Sequence, residues 1–270
     1  MDGEKTRSAT GSRSRQEPRP LFSCWPEVRA RIRAAGQLAV LLDFDGTLVG
    51  LRRRPSDVRV PRSVKGVLQR LARQQNVHVA IVSGRSLRDL HTMLEVEGVH
   101  VFGSHGAEMK GKKTALGSAT RRALAHARRD VRTQLEVLPR IWVEDKLVSL
   151  AVHYRGARPA IVRDAHAALL RILAPLRRTL SVMNGKKVWE IQARDVAGKG
   201  ARVRKLVGAL PARALAIYAG DDVTDESAFA AMPNQITIHV GRRADTHARF
   251  RLQNPAEVLR FLTRLERELR

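Results

Sequence analysis

Two aspartates separated by one residue, Asp43 and Asp45 in the segment LLDFDGTLVG, are candidate catalytic residues. They end an apolar run, where two neighbouring carboxylates repel each other unless a cation lies beside them. A carboxylate can attack phosphorus as a nucleophile and form an aspartyl-phosphate. A second carboxylic acid close by can protonate the leaving group and later activate water. The pair therefore indicates metal-assisted phosphoryl transfer.

Three further polar clusters occur later in the chain: SGR at 83–85, GKG at 198–200 and GDDVTDE at 220–226. SGR and GDDVTDE directly follow apolar runs, and GKG precedes a helical pattern. Because ligands bind at the carboxyl ends of the strands in an open parallel sheet, we expect Lys199, Asp221 and Asp222 to converge with the first pair. Carboxylate oxygens in that number are typical of a Mg²⁺ site, and a lysine can neutralise a transferring phosphoryl group.

Short apolar runs predict the strands that must position these clusters. Their nearly continuous apolar character is typical of strands covered on both faces, and amphipathic segments separate them. This alternation predicts an α/β fold with an open parallel sheet. The runs are LAVLLD (38–43), VHVAIV (77–82), VHVF (99–102), ALAIYA (214–219) and ITIHV (236–240).

The middle of the chain predicts a separate α+β module, inserted over residues 110–195. Two long amphipathic stretches there, 118–138 and 158–177, predict helices. The segments IWVEDK, LVSLAVHYR and KKVWEIQ alternate in the manner of half-exposed antiparallel strands. The α/β core would then comprise residues 21–109 and 196–270. Residues 1–20 contain almost no large apolar side chain, which predicts a flexible basic tail.

The composition bounds the class of protein. The chain has 270 residues, 43% of them hydrophobic, and a single cysteine, Cys24, which rules out an intrachain disulfide. It has neither an apolar run of about 20 residues nor the apolar segment of a signal peptide, so we expect a cytoplasmic protein without a membrane partner. The net charge of +24 raises nucleic-acid binding as an alternative. Because this charge is spread along the chain, we instead expect attraction of an anionic substrate and no nucleic acid.

DFDGT, SGR, GKG and GDDVTDE, in that order, resemble the four motifs of the haloacid dehalogenase-like phosphatases. The resemblance implies a Rossmann-like core with an inserted cap, with Asp43 as nucleophile and Asp45 as general acid/base. It further implies a phosphate-binding set that consists of Thr47, Ser83, Gly84 and Lys199. The implied Mg²⁺ ligands are Asp43, the main-chain carbonyl of Asp45, Asp221 and Asp222, the last of these directly or through water.

Within the inserted module, VEDKLVSLAVHYR (143–155) and KKVWEI (186–191) are similar to signature segments of the trehalose-phosphatase family. GSHGAE (103–108) and YAGDDVTDESAF (218–229) also resemble that family. The resemblance implies a monomeric enzyme that hydrolyses trehalose 6-phosphate to trehalose and phosphate, the last step of trehalose biosynthesis.

The same resemblance implies which residues bind the sugar. Carboxylates accept hydrogen bonds from hydroxyl groups and lysines donate to them, as recognition of a disaccharide requires. His105 and Glu108 are expected to organise the junction between core and cap. The implied sugar-binding residues are Glu144, Lys146, Arg155, Lys186 and Glu190.

Two alternatives remain open at the level of sequence. One is a phosphatase for sucrose phosphate, mannosyl-phosphoglycerate or another sugar phosphate, since the core motifs specify the reaction and not the substrate. The other, from a different class, is a basic nucleic-acid-binding protein that has a phosphatase fold.

Overall fold

The structure, a computed structural model, describes residues 17–52, 54–111, 116–146, 148–185, 187–196 and 198–270. Within these residues the chain forms two β-sheets and eight α-helices. The strands are Arg19–Pro20 (β1), Gln37–Leu42 (β2), Val77–Val82 (β3), Val99–Gly103 (β4), Glu108–Met109 (β5), Trp142–Lys146 (β6), Ser149–His153 (β7), Leu180–Gly185 (β8), Val188–Ala193 (β9), Ala214–Gly220 (β10), Ile236–Val240 (β11) and Phe250–Leu252 (β12). The helices are Trp25–Ala34 (α1), Arg62–Ala72 (α2), Leu87–Leu94 (α3), Ser118–Leu135 (α4), Pro159–Leu173 (α5), Lys199–Gly208 (α6), Val223–Ala230 (α7) and Pro255–Glu268 (α8).

The larger sheet has the strand order β1-β12-β11-β10-β2-β3-β4-β5. Its strands pair in parallel except for the antiparallel pair β4–β5. Each of the five predicted apolar runs forms a strand of this sheet. The predicted α/β fold with a mainly parallel central sheet is therefore confirmed.

Helices cover both faces of the larger sheet, which explains the nearly continuous apolar runs. Successive side chains of a strand point to opposite faces. On β2, Leu38, Val40 and Leu42 pack with α1, α2, α3 and α8. Ala39 and Leu41 pack on the other side with α6 and α7.

The strand register brings the predicted chemical groups to one end of this sheet. Leu42 of β2 lies opposite Ala219 of β10 on one side and Ile81 of β3 on the other. Because these three strands run in the same direction, their carboxyl ends lie side by side. The segments that begin at Asp43, Ser83 and Asp221 follow these ends.

The smaller sheet belongs to the middle of the chain and has the order β6-β7-β9-β8 with antiparallel pairs. One face packs against α4 and α5 and forms a hydrophobic core of its own. The predicted helices and the three predicted strands are present. Strand β8 was not predicted, because the side chains of LSVMNG are mostly half-buried and lack a clear alternation.

The N-terminal segment departs from the sequence-based expectation. Residues 1–16 of the predicted tail lie outside the described residues, but Arg19 and Pro20 form a parallel edge strand with β12. The backbone N–H of Leu21 donates to the carbonyl of Arg251 at 3.0 Å, and the Leu21 side chain is fully buried. The partner strand lies some 230 residues further along, so local composition could not reveal this pairing. In the described part of the chain, we find no helix with the length and apolarity to cross a bilayer.

Candidate active site

The predicted nucleophile Asp43 lies directly after β2 and is almost fully buried. Its backbone N–H donates to the carbonyl of Ala219 at 2.9 Å, which fixes it beside β10. Gly46, three residues on, has φ +83°, and a Cβ there would lie 2.1 Å from Oδ2 of Asp221. Only glycine allows this turn and this close approach. The DFDGT loop is therefore held against the GDD loop, as the sequence predicted.

Lys199 provides the positive charge at the centre of the site. It is the first residue of α6 and is 4% exposed. Its Nζ donates to Oδ1 of Asp43 at 2.6 Å and to Oδ1 of Asp225 at 2.8 Å. Burial lowers the pKa of Lys199, but the carboxylates of Asp225 and Asp43 outweigh burial and hold this pKa well above its ordinary value. Lys199 is therefore a permanent buried cation.

Asp225 positions the lysine and the GDD turn. Its Oδ1 accepts from Lys199 and from the Tyr218 hydroxyl at 2.6 Å. Its Oδ2 accepts from the backbone N–H groups of Asp221 at 3.0 Å and Asp222 at 2.9 Å. Asp225 is also the third residue of α7, where it forms a capping box with Asp222, and its full burial and contacts place it at the centre of the network.

The site also contains a group of carboxylates that could hold a metal ion. Oxygen atoms of Asp43, Asp221 and Asp225, all buried, lie within 4.8 Å of one another. Burial raises the pKa of Asp43 well above its ordinary value; the Lys199 charge opposes this rise, and Asp225 and Asp221 add to it. Three buried carboxylates against one lysine leave an excess of negative charge that a divalent cation would offset.

The hydrogen bonds that these carboxylates already accept show which of them are better placed to bind a metal ion. Asp225 already accepts from Lys199, Tyr218 and two backbone N–H groups, so Asp43 and Asp221 are the better candidates for metal ligands. The predicted ligand Asp222 has a different contact, since its Oδ1 accepts from the N–H of Val223 at 2.7 Å and caps α7. Its carboxylate still lines the cleft, and its part in metal binding stays a prediction.

Asp45 is held by a residue that the sequence reasoning did not single out. Nε and Nη2 of Arg85 donate to the two oxygens of the Asp45 carboxylate at 2.6 and 2.8 Å. This two-point contact fixes the plane of the predicted general acid/base. The available signal was the arginine of SGR, directly after the predicted phosphate-binding pair. Arg85 and Asp45 are 40 positions apart in the sequence, so the motif did not reveal their contact.

The predicted phosphate-binding hydroxyls lie at the same strand ends. Thr47 is fully buried, and its Oγ1 has no hydrogen-bond partner among the residues that the structure describes. Ser83 is buried and accepts from the backbone N–H of Arg85 at 3.2 Å. Gly84 packs closely against His105, since a Cβ there would lie 2.8 Å from Cε1 of that ring.

The inserted module contributes a polar face that lines the same cleft. Nζ of Lys146 donates to Oε1 of Glu190 at 2.7 Å, and Nε2 of His153 lies 2.9 Å from Oε2 of Glu144. Burial raises the pKa of Glu144, but the hydrogen bond from His153 and the Lys146 charge hold this pKa below its ordinary value. Burial lowers the pKa of Lys146, and Glu190 and Glu144 raise it above its ordinary value.

Of the two remaining residues predicted to bind the sugar, the structure describes only one. Arg155 lines the cleft, as does Lys187. Lys186 lies outside the described residues, so its predicted role stays a prediction. Residues of both sheets therefore face one cleft, which extends from Asp43 to the polar face of the smaller sheet.

His105 lies at the junction between the two sheets, whereas Glu108 contacts residues of the larger-sheet part of the chain. His105 has φ +57°, is buried, and its Nε2 forms an ion pair with Oε2 of Glu190. Glu108 accepts from the backbone N–H of Leu87 at 2.9 Å and from the Ser104 hydroxyl. His105 thus lies between the Ser83–Gly84 loop and Glu190, at the junction where the sequence led us to expect it; its contact with Glu190 was not predicted.

The loss of folding stability at acid pH should depend on the ionisation of Glu190. Burial raises its pKa, but His105 and Lys146 hold it well below the ordinary value. A lowered folded-state pKa contributes stability above the unfolded-state value of about 4.3, and this contribution is lost as pH falls through the folded-state value. We expect the melting temperatures of wild type and Glu190→Gln to differ most near pH 7, to approach each other as pH falls below about 4, and to converge only at the lowered folded-state pKa of Glu190.

Differential scanning calorimetry across this pH range measures the effect. The matched control is Glu97→Gln, because Glu97 is exposed and should show little difference from wild type at any pH. A Glu190→Gln deficit that is independent of pH would contradict the assignment.

The fold and these strand-end clusters are those of the haloacid dehalogenase-like class of proteins, in which an aspartate after the central strand faces a lysine at the start of a helix. The model of the trehalose-phosphatase family matches residues 41–256. The trehalose-phosphate phosphatase of Mycobacterium marinum is 35% identical over 245 residues, 86% of this chain and 62% of that relative. The chain belongs to the trehalose-phosphatase family, and it spans about three fifths of the length of the curated relatives it matches.

Solved structures are similar in fold. The C-terminal domain of Candida albicans trehalose-6-phosphate phosphatase has a TM-score of 0.78 at 23% identity and covers 94% of this chain and 99% of that one. A protein described as related to trehalose-6-phosphate phosphatase has a TM-score of 0.68 at 27% identity, with 85% and 97% covered. Both likenesses extend over the larger part of the chain, so they include both sheets.

Proposed function

We propose that this protein is a Mg²⁺-dependent phosphatase that converts trehalose 6-phosphate to trehalose and phosphate. The observation that carries the proposal is the cleft between the sheets. The buried pair Asp43–Lys199 lies on one side and the paired charges Lys146–Glu190 lie on the other. The first pair fits a phosphoryl group and the second fits sugar hydroxyls. Membership of the trehalose-phosphatase family supports the same substrate.

The reaction divides into two displacements at phosphorus. An oxygen of Asp43 attacks phosphorus while the bond to the sugar oxygen breaks, and Asp45 transfers a proton to that oxygen. Asp45 then accepts a proton from water, which attacks phosphorus, releases phosphate and restores the Asp43 carboxylate. The fork of Arg85 orients the Asp45 carboxylate that accepts the proton from water, and it has to release one oxygen for Asp45 to carry the proton of the first step.

Charge on the transferring group is balanced by residues of the core. Lys199 carries a fixed positive charge, and Thr47 and Ser83 offer hydroxyl groups. Mg²⁺ would be held by Asp43, the main-chain carbonyl of Asp45, Asp221 and Asp222. When bound, it would supply positive charge that stabilises the phosphoryl oxygens and offsets repulsion between the carboxylates.

Residues 110–195 would act as a substrate-recognition cap on a core of residues 21–109 and 196–270. A separate sheet with its own hydrophobic core supports this division. Glu144, Lys146, Arg155 and Glu190 would bind the sugar part. Glu190, which contacts Lys146 and the junction residue His105, would join sugar recognition to the phosphate-binding loop.

Phosphate release from a panel of substrates tests the proposal. We expect kcat/KM for trehalose 6-phosphate to exceed the values for sucrose 6-phosphate and mannosyl-3-phosphoglycerate by about a hundredfold, because unmatched hydroxyls leave buried charges unpaired. Activity should disappear on chelation and return with Mg²⁺. Equal kcat/KM values across the panel would contradict the substrate, and full activity in excess chelator would contradict the metal requirement.

A further inference from the structure

Trp142 is an exposed aromatic residue at the edge of the cap sheet, next to the predicted sugar-binding residues. It is the first residue of the edge strand β6, and its side chain is 38% exposed and lines the cleft. Residues two apart on a strand point to the same face, so Trp142 shares a face with Glu144 and Lys146. Single exposed aromatic side chains are common on protein surfaces, but one that lines a polar cleft is a candidate for contact with a ligand.

The ring of Trp142 is fixed by His153, which lies directly opposite on β7. The two rings stack with centroids 3.8 Å apart and planes 3° from parallel. His153 in turn contacts Glu144, its Nε2 lying 2.9 Å from Oε2. The indole is therefore held flat at the rim of the cleft before any ligand arrives, which reduces the entropy lost on binding.

The spacing along β6 fits a second sugar ring. Lys146 pairs with Glu190, and Glu190 contacts His105 beside Gly84, so this end of the strand lies near the core site. Trp142 is four residues away, about 13 Å at the usual strand rise. A monosaccharide phosphate held at Asp43 would end before Trp142, whereas a disaccharide phosphate could reach it.

The chemistry of a pyranose matches this surface. One face of the ring carries C–H bonds and packs on an aromatic plane, while the hydroxyls around the ring edge accept or donate hydrogen bonds. Glu144 is two residues from Trp142, about 7 Å along the strand, close to the width of one ring. We propose that Trp142, held flat by His153, is a stacking platform for the sugar ring distal to the phosphate, and that it selects disaccharide over monosaccharide phosphates. This inference rests on the proposed function.

Steady-state kinetics with trehalose 6-phosphate and glucose 6-phosphate test the platform. We expect Trp142→Ala to raise KM for trehalose 6-phosphate about tenfold, equal to about 1.4 kcal/mol, with little change in kcat. The KM for glucose 6-phosphate should not change, and Trp142→Phe should restore most of the lost affinity. The control Val137→Ala, which truncates an exposed apolar side chain of the cap outside the cleft, should behave as wild type. An unchanged ratio of the two KM values in Trp142→Ala would overturn the platform.

A binding measurement separates this inference from the proposed function. The chain has three tryptophans, and the other two, Trp25 and Trp189, are each 4% exposed. In an Asp43→Asn background, trehalose 6-phosphate should change the tryptophan emission in a saturable way, and Trp142→Phe should abolish the change.

The outcomes are distinguishable. Wild type that hydrolyses trehalose 6-phosphate, with a Trp142→Ala variant of unchanged KM, overturns the platform alone. Wild type that releases no phosphate from this substrate refutes the proposed function. In that case, titration with trehalose itself tests whether Trp142 stacks on a sugar ring. A saturable, Trp142-dependent change in tryptophan emission supports the stacking platform, and constant emission overturns it.

Discussion

Replacing Asp43 with Asn is expected to reduce phosphate release from trehalose 6-phosphate by about 10⁴-fold or more. Asparagine has the same shape as aspartate, but its neutral amide oxygen is too weak a nucleophile to attack phosphorus. Lys199 would still donate to Asp225, so the network around the substituted residue should persist. The measurement is kcat under saturating substrate and Mg²⁺, together with a test for covalent phosphate on the acid-quenched enzyme.

Asp43→Asn should also leave stability unchanged or raise it. Burial and the neighbouring carboxylates raise the pKa of Asp43, which means that its charged form is disfavoured in the folded protein. An uncharged amide removes this unfavourable charge, a trade between stability and activity that is typical of active sites. Asp89→Asn, at an exposed position on α3, is the matched control for activity. Activity near the wild-type level in Asp43→Asn would refute the nucleophile assignment.

Replacing Lys199 with Met should damage both activity and stability. The methionine preserves most of the side-chain volume but removes the cation that lies 2.6 Å from Asp43 and 2.8 Å from Asp225. Breaking a buried ion pair on one side leaves uncompensated charge and costs about 3–5 kcal/mol. Removal of a charge that stabilises the transferring phosphoryl group should lower kcat by about 10²–10³-fold. Chemical denaturation and phosphate release measure the two effects.

A double-mutant cycle tests whether the uncompensated charge of Asp43 causes the instability of Lys199→Met. Lys199→Met combined with Asp43→Asn should be more stable than Lys199→Met alone, since one uncompensated carboxylate has been removed. Lys205→Met, an exposed lysine on the same helix, should lose neither stability nor activity. A Lys199→Met protein as stable as wild type would show that the buried network contributes little to folding.

The core strands were predictable because burial on both faces leaves a local signature in the sequence. LAVLLD and ALAIYA became β2 and β10, and the register of these strands placed Asp43 beside the GDD turn. The inserted sheet was predicted in part, because β6, β7 and β9 have a clear alternation of polar and apolar residues. β8 and β1 lack such an alternation and are strands only because a partner strand completes their hydrogen bonds.

The contacts within the site were less predictable than the elements that carry it. The fork of Arg85 on Asp45, the bond of Lys199 to Asp225 and the ion pair of His105 with Glu190 each join residues far apart in sequence. A motif shows that a charged residue is present at a strand end. Its partner depends on how loops from several strands and helices pack.

The fold class and the family follow from the sequence alone, and the sequence also predicts the carboxylate chemistry, because apolar periodicity and short motifs are local properties of a chain. Three features become visible only in the folded structure: Asp225 supports Lys199, Arg85 fixes Asp45, and an aromatic pair borders the cleft. Trp142 and His153 are 11 positions apart and meet because β6 and β7 pair in one register out of several that the hairpin could adopt. Side chains at such distances are brought together by packing, and packing is a property of the whole chain.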